Sequence, residues 1–488
     1  MRRGLWRVLL TGAVVVAAGM TAAVRVDTQT PTAPQVDPAN PVFDDSYVHE
    51  VRVAINPKDW TALEVHYLDN TYYTCDVKTD GVNVRNSAIR SRGTGSRSGV
   101  KPGLRIDFDR NVTNQTYLGL KSYVLRNQTQ DASNMHEILS MLFFRRMGLP
   151  ASREAFTKLY INNVYAGLYT VVESVDKGFL EKHYGENDGH LYKYDYNADD
   201  KPYYYEFRDG NGDSYVPHPF KPETNESDPQ SQTIADMIRI INQDGDNIFR
   251  TTIAPYIDLP KFVRHIAMEM FLGDNDGFDG NYGTNNFYWY RFEKKTLFQW
   301  IAWDKSNAFI DGPTYPIFHN INDQPPERVN RLTARVMGFA DLKNLYLDTL
   351  LDFANAFVDA TATPTPFPVG TLKPVSPAAT PTPIPTPNPD DPRGWAEREI
   401  ERQYALIKDA VYTDPTFNGT GNFKPADFEK EADNLRKFAR ERGAFVKAEV
   451  AKIRPTSSSS RTRRGARAFP APAFPASSLA AASRVAAR

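Results

Sequence analysis

Cysteine is nearly missing from this sequence: Cys75 stands alone among 488 residues, which excludes an internal disulfide and any multi-cysteine metal cluster. Net charge is nearly missing too. With 58 basic against 59 acidic side chains and a formal balance of −1, the chain has no global field for nucleic acid, so any anion site must be local. No Walker spacing occurs, which excludes a P-loop ATPase. The mostly apolar run from Val8 to Met20 is shorter than the roughly 20 residues a spanning helix needs. Preceded by Arg2, Arg3 and Arg7 and followed by Thr21, Ala22 and Ala23, it reads as an export signal over residues 1–23. A mature protein outside the cytoplasm, with no stable membrane span after cleavage, is the expectation. Calcium-loop spacing is incomplete as well. Asp209, Asn211 and Asp213 start such a loop, but Ser214 replaces the glycine and no glutamate closes it.

What is present is an ordinary globular composition, 41% hydrophobic and 24% charged. Residues 24–41, carrying Pro31, Pro34, Pro38 and Pro41, read as a linker, with order expected from Val42. VHEVRVAIN alternates as a half-buried strand, DWTALEVHYL as a short helix capped by Asn56 or Asp59, and Asp80-Gly81 is hairpin chemistry. A helix is predicted from Asp131 to Met147, stopped by Gly148. The strands AFTKLYINN and YAGLYTVVES turn at Asn162-Asn163, and HLYKYDY gives another strand, carrying Lys193. Helices follow over IADMIRIIN, LPKFVRHIAMEMF (capped by Asp258) and residues 331–357. A folded region over 42–357 then gives way to a Pro/Thr-rich stretch, 358–393, whose composition favours a stiff, solvated chain. Helical segments return over 394–453, expected to fold back onto the first domain, and the tail 454–488 reads as disordered.

Three groups of residues carry candidate chemistry. In AIRSRGTGSRSGVKPGLRIDFDR four glycines interleave with Arg92, Arg97, Lys101 and Arg105, a place where backbone amides and cations could meet phosphate; a mobile basic hairpin tip is the other reading. Glu137 near the predicted helix start either pairs with a phosphate-binding Lys or Arg across the fold or complements the helix N-terminus. Glu173, facing inward from its strand, needs a partner and suits purine contacts or a buried ion pair. The third group spans Phe271 to Phe309. It holds Asp274, Asp276 and Asp279, then Asn285 and Asn286 heading the strand FYWYR, then Asp304 behind a second strand. An acid, an amide and a further acid in that order can hold a substrate hydroxyl and a nucleotide-bound divalent ion; solvated turns are the alternative. His265, alone on its helix, reads as structural.

Taken together, SRGTGSRSGVKPGLRIDFDR, LKSYVLRN, MHEILSMLFFRRMG, LYINNVYAGLYTVVESVDKGFL, HLYKYD, GDNDGFDGNYGTNNFYWYR and IAWDKSNAF resemble the CotH family of spore-coat, kinase-like proteins, over roughly Val42 to Ile453. The resemblance implies an α+β, divergent protein-kinase-like two-lobed fold, with a β-rich N-terminal lobe and a helical C-terminal lobe. It implies ATP, Mg²⁺ or Mn²⁺, and transfer to Ser or Thr of secreted or surface proteins. Carried over, Asp276 is the catalytic acid, Asn286, Asn285 and Asp304 are metal ligands, Lys101 or Arg105 meets the phosphates, and Glu137 and Glu173 are further cofactor-binding positions. Two positions depart from the family pattern: Ser306 where many relatives have an acid, and Thr94 where Asn is usual. These departures leave open a catalytically impaired surface or adhesion protein, and the Tyr-rich YYYEFRDGNGDSY a calcium-stabilised binding module.

Overall fold

The computed structural model describes residues 37–196, 202–321, 324–359, 393–417 and 423–454. The expected signal, most of the 24–41 linker, nearly all of the 358–393 stretch and the tail beyond Arg454 lie outside the described residues. The compact unit begins at Pro38, four residues before the expected Val42, because Ala39, Val42 and Phe43 are buried around a short 3-10 turn, Asn40–Phe43.

Alternation of apolar side chains builds the first half. Strand β1 (His49–Ile55) buries Val51, Val53 and Ile55. With β2 (Tyr73–Thr79), β3 (Val82–Ser91), β4 (Leu104–Asp107), β5 (Ser122–Arg126), β6 (Glu154–Ile161) and β7 (Val164–Glu173) it closes a barrel in the order β1-β2-β3-β4-β5-β7-β6. Closure depends on β1 running parallel to β6, with Val51 opposite Leu159, and leaves no open sheet edge. Asp80-Gly81 and Asn162-Asn163 turn the two predicted hairpins, all four residues at positive φ. Helix α1 (Pro57–Val65) selects Asn56 as its cap, whose side chain accepts from Lys58 N at 2.9 Å. Helix α2 (His136–Arg146) starts five residues later than predicted. The cause is Asp131, whose carboxylate accepts from Ser133 N and His136 N and folds 131–135 into a side-chain turn that competes with helix.

A second sheet, ordered β11-β10-β8-β9, comprises β8 (His190–Tyr194), β9 (Phe220–Pro222), β10 (Phe287–Arg291) and β11 (Phe298–Ala302). Tyr203, Tyr205 and Tyr215 of the Tyr-rich stretch are buried; Tyr205 meets Phe220 and Trp289 edge to face. Among the described residues, eight helices complete the mixed α+β architecture with α1 and α2: α3 (Lys177–Tyr184), α4 (Ser231–Gln243), α5 (Asp246–Ile253), α6 (Leu259–Leu272), α7 (Arg331–Met337), α8 (Ala340–Val358), α9 (Trp395–Tyr412) and α10 (Pro425–Ile453). The predicted 331–357 helix is two, broken at Gly338-Phe339. Helices α9 and α10 pack against the rest of the fold. Arg442 of α10 is fully buried and donates to Met270 O (2.6 Å) and Phe271 O (2.8 Å) in the last turn of α6, and to Pro313 O and Tyr315 O. It satisfies carbonyls that a helix end leaves open. No helix among the described residues is long and apolar enough to cross a membrane.

Candidate active site

The hairpin of β10 and β11 sets the site. Phe287 pairs with Ala302, so Asn286 and Trp303 sit just beyond the ladder, and Trp303 N donates to Asn286 O at 3.2 Å. Asn286 (φ +57) and Asp304 (φ +52) are both left-handed, a backbone that Asn and Asp tolerate better than most residues. The next residue, Lys305, turns inward and is fully buried. Its Nζ lies 2.5 Å from Glu269 Oε1 and 2.8 Å from Asp274 Oδ2, and its amide donates to Glu137 Oε2 at 2.5 Å. Lys305 thus fixes α6, the acidic loop and α2 around the base of Asp304. Burial pushes the Asp274 carboxyl up, while Lys305 and His265 together hold Glu269 down against burial.

Asp276 is held by three amides. Asn285 Nδ2 donates to Oδ1 at 3.0 Å, Asn286 Nδ2 to Oδ2 at 3.0 Å, and Asn307 Nδ2 to Oδ2 at 3.1 Å. Burial nevertheless raises its pKa above the ordinary carboxylate value, against the Asn285 and Asn307 hydrogen bonds and with Asp304 adding to the rise. A carboxylate fixed this way can orient a hydroxyl and accept its proton.

Asp304 has the opposite balance. Arg126 Nη1 lies 2.8 Å from Oδ1, and Ser306 Oγ donates to the same oxygen at 3.0 Å. Burial would raise its pKa, but Arg126 reverses that and brings it down to about 2. Arg126 also reaches Glu137 Oε1 at 3.0 Å and lies over the Trp303 ring. Of the two readings for Glu137, pairing with an arginine across the fold is the observed one; burial pushes its pKa up against that pairing.

A small polar depression, partly open to solvent, lies beside Asp304, lined by Arg92, Gly103, Arg126, Asn127, Gln130 and Ser306 among others. Gly103 is needed there, since a Cβ would lie 2.9 Å from Arg92 O. Arg92 packs over Trp303, and among the described residues its guanidinium forms no hydrogen bond or ion pair. Lys193 of β8 lies close enough to Arg92 and Asp304 to feel both charges; burial, then Arg92, lowers it to about 8. Arg92 and Arg126 thus bring two cations to the pocket beside an acid, with Lys193 near enough to feel their charges, surroundings that suit phosphate groups.

The structure therefore brings Asp276, Asn285, Asn286 and Asp304 together. Glu137 joins them through Arg126. It does not bring Lys101 there: Lys101 Nζ is buried 2.8 Å from Asp414 Oδ2. Arg105 donates to Ser122 Oγ at 2.9 Å and lies 4.0 Å from Asp107. Glu173 takes the ion-pair alternative, bonded by Arg153 Nη2 at 2.6 Å and by Lys182, which together hold its carboxyl at about 2 despite burial. Asp279 accepts from Thr333 Oγ1 at 2.8 Å and is pushed up to about 8 by burial. Asp209 and Asn211 accept hydrogen bonds from the local chain, capping a turn. His265 lies against Glu269, a structural place as expected. Sequence reasoning passed over Arg126, Asn307 and Lys305 as site residues; the signal for Arg126 was a cation ending the apolar strand SYVLR, every residue of which is buried.

Mg²⁺ or Mn²⁺ fits the donor set. Asp304 Oδ2 and Asn286 Oδ1 accept no hydrogen bond among the described residues, while their sister atoms are engaged. Among the described residues, no group of three His, Cys, Asp or Glu side chains forms a closed metal site. A hard divalent ion held by one or two protein oxygens completes its shell with substrate phosphates and water.

An acid held by amides, a second acid paired with arginine and an adjoining pocket that carries cations thus lie together on an α+β fold. The sequence profile of the CotH kinase protein family matches residues 89–364, and the chain belongs to that family. The inner spore coat protein H of Bacillus subtilis is 26% identical over 250 residues, 51% of this chain and 66% of that protein. Spore coat protein homolog 1 of Rhizopus delemar is 24% identical over 260 residues, 50% of this chain and 39% of that protein. The matches thus span just under two thirds of the first relative and well under half of the second. The Helicobacter pylori proinflammatory kinase CtkA aligns over 70% of this chain and 94% of its own at 9% identity, with a TM-score of 0.26, a likeness that carries no argument.

Proposed function

We propose that this chain is an atypical protein kinase that transfers the γ-phosphate of ATP to Ser or Thr hydroxyls of secreted or surface proteins, using Mg²⁺ or Mn²⁺. The observation that carries the reading is the convergence of Asp276, Asn286 and Asp304 beside the Arg92–Arg126 cavity. In this reading the barrel is the β-rich lobe of a two-lobed kinase-like fold and the helices form the other. Arg92, Arg126 and Lys193 bind the phosphates, and Glu137 holds Arg126 in place as helix glutamates hold phosphate-binding cations in kinases. Asp304 and Asn286 hold the ion, with Asn285 beside them. A divalent ion bound there would neutralise charge on the transferring group. Asp276 orients the acceptor hydroxyl and takes its proton. The location outside the cytoplasm rests on the N-terminal sequence and on relatives that carry spore-coat names.

Incubation with labelled ATP and Mn²⁺, followed by mass-spectrometric location of phosphosites, tests this. Ser or Thr phosphorylation by the wild type and none by Asp276→Ala is expected. Ser306, whose hydroxyl donates to Asp304 where the resemblance places an acid, favours a second reading, a catalytically impaired surface protein. ATP binding without transfer to any protein would select it.

A further inference from the structure

Lys101, one of two residues that the family resemblance assigns to the phosphates, has its charge buried against a residue distant in sequence. Asp414 follows α9, 313 residues away from Lys101 and outside the residues that match the family profile. Its side chain is fully buried. Oδ2 accepts from Lys101 Nζ and from Leu168 N, each at 2.8 Å, and Oδ1 accepts from Thr416 N at 2.8 Å and Thr416 Oγ1 at 2.6 Å. The barrel is shaped to admit it. Gly167 adopts φ +125, and a Cβ there would lie 2.6 Å from Asp414 Oδ2. Tyr165 of the same strand donates to Ala410 O at 3.1 Å.

From this anchor the contacts run directly to the cavity. Lys101 O accepts from Asn127 Nδ2 at 2.7 Å, and the same amide donates to Ser96 O at 2.8 Å. Tyr169 OH donates to Pro102 O at 3.2 Å, and Arg92 N donates to Gly103 O at 2.8 Å. Both ends and the middle of the loop from Arg92 to Gly103 are thereby tied down, and Arg92, Gly103 and Asn127 line the cavity. A buried ion pair is a weak source of net stability compared with apolar packing, and its best-attested use is to fix one arrangement among several.

We propose that Asp414 is a positioning residue: through Lys101 it holds the glycine-rich loop in its anion-binding shape, so that the segment after α9 is part of the phosphate site. This rests on the phosphotransferase reading above. The segment sits ready to set nucleotide affinity without touching nucleotide.

The test uses the full chain carrying Lys101→Met with Asp414→Asn, which removes both charges together and leaves none unpaired. Three readouts follow: hydrogen exchange at the amides of Gly93 to Gly99, calorimetric binding of inorganic triphosphate, and KM against kcat for ATP. The proposal expects a folded variant whose loop amides exchange about tenfold faster. Triphosphate binds about tenfold more weakly and KM rises in proportion, while kcat stays within about threefold. A folded variant with wild-type loop exchange and wild-type triphosphate affinity overturns it. If the double variant does not fold, Gly167→Ala, which crowds Asp414 and keeps both charges, is judged by the same readouts. A wild type that binds no triphosphate overturns the phosphotransferase reading instead, and loop exchange alone then decides the role of Asp414.

Discussion

Two clusters of like charge stand out in this chain: the acids Asp274, Asp276 and Asp279, and the cations between Arg92 and Arg105. The fold divides each cluster in the same way. In the acidic loop, Asp274 is buried against Lys305 and Asp279 against Thr333, so two of the three acids brace the loop. Asp276 is held by three amides, with no cation in direct contact among the described residues, and is the acid to which the proposed reaction assigns the proton. In the basic loop, Lys101 is buried against Asp414 and Arg97 donates to Gly93 O and Tyr67 O, while Arg92 lines the cavity. A cluster of like charge therefore marks where a site is. Which member acts is decided by partners that arrive from elsewhere in the chain.

The comparison breaks most visibly at Asp276. Asp276→Asn keeps the size but removes the proton acceptor and turns an NH₂ onto amide donors, so kcat should fall by about 10² to 10⁴ and the thermal midpoint should drop modestly, measured by steady-state kinetics well below that midpoint beside calorimetry. A bracing acid replaced in the same way should leave kcat much less affected. Lys305→Met should act on the fold instead. It leaves Glu269 and Asp274 buried without their cation and should cost about 3–5 kcal/mol in denaturant unfolding. A variant as stable as the wild type would show that Lys305 does not hold the loop.

On the basic side, Arg92→Met should raise KM for ATP about tenfold, near 1.4 kcal/mol, with kcat little changed. Lys193 gives a smaller effect with a definite sign. Burial and Arg92 lower its pKa to about 8, so the ammonium is charged below that pH and neutral above it. An anion binds the charged form, so triphosphate affinity should fall severalfold as pH rises through about 8, with proton uptake on binding in the upper range. Lys193→Met should flatten that part of the profile in calorimetric titrations run in buffers of different ionisation enthalpy.

Much of the fold could be read from local pattern. The hairpins at Asp80-Gly81 and Asn162-Asn163 and the caps Asn56 and Asp258 involve residues close in sequence, and each lies where its chemistry placed it. What failed locally failed for a stated reason. The Asp131 carboxylate takes backbone donors that a helix would have used. The break at Gly338-Phe339 falls within one apolar pattern that continues across it. Within the site, Asp276, Asn286 and Asp304 were legible because strand ends and a short loop carry them, so their spacing survives folding. Arg126, Asn307 and Lys305 were not, and Glu173 was legible only as an acid in need of a partner. The contacts of Arg126 with Asp304 and of Lys101 with Asp414 join residues 178 and 313 positions apart, and no periodicity reports such pairings.

The central claim is that Asp304 and Asn286 hold a divalent ion against phosphates gathered by Arg92 and Arg126. Calorimetric titration of ATP, with and without Mn²⁺, into the wild type and Asp304→Asn tests it most directly. The account predicts binding by the wild type that strengthens at least about tenfold with Mn²⁺, and loss of that enhancement in the variant. Mn²⁺-dependent binding of equal strength in both proteins would contradict it.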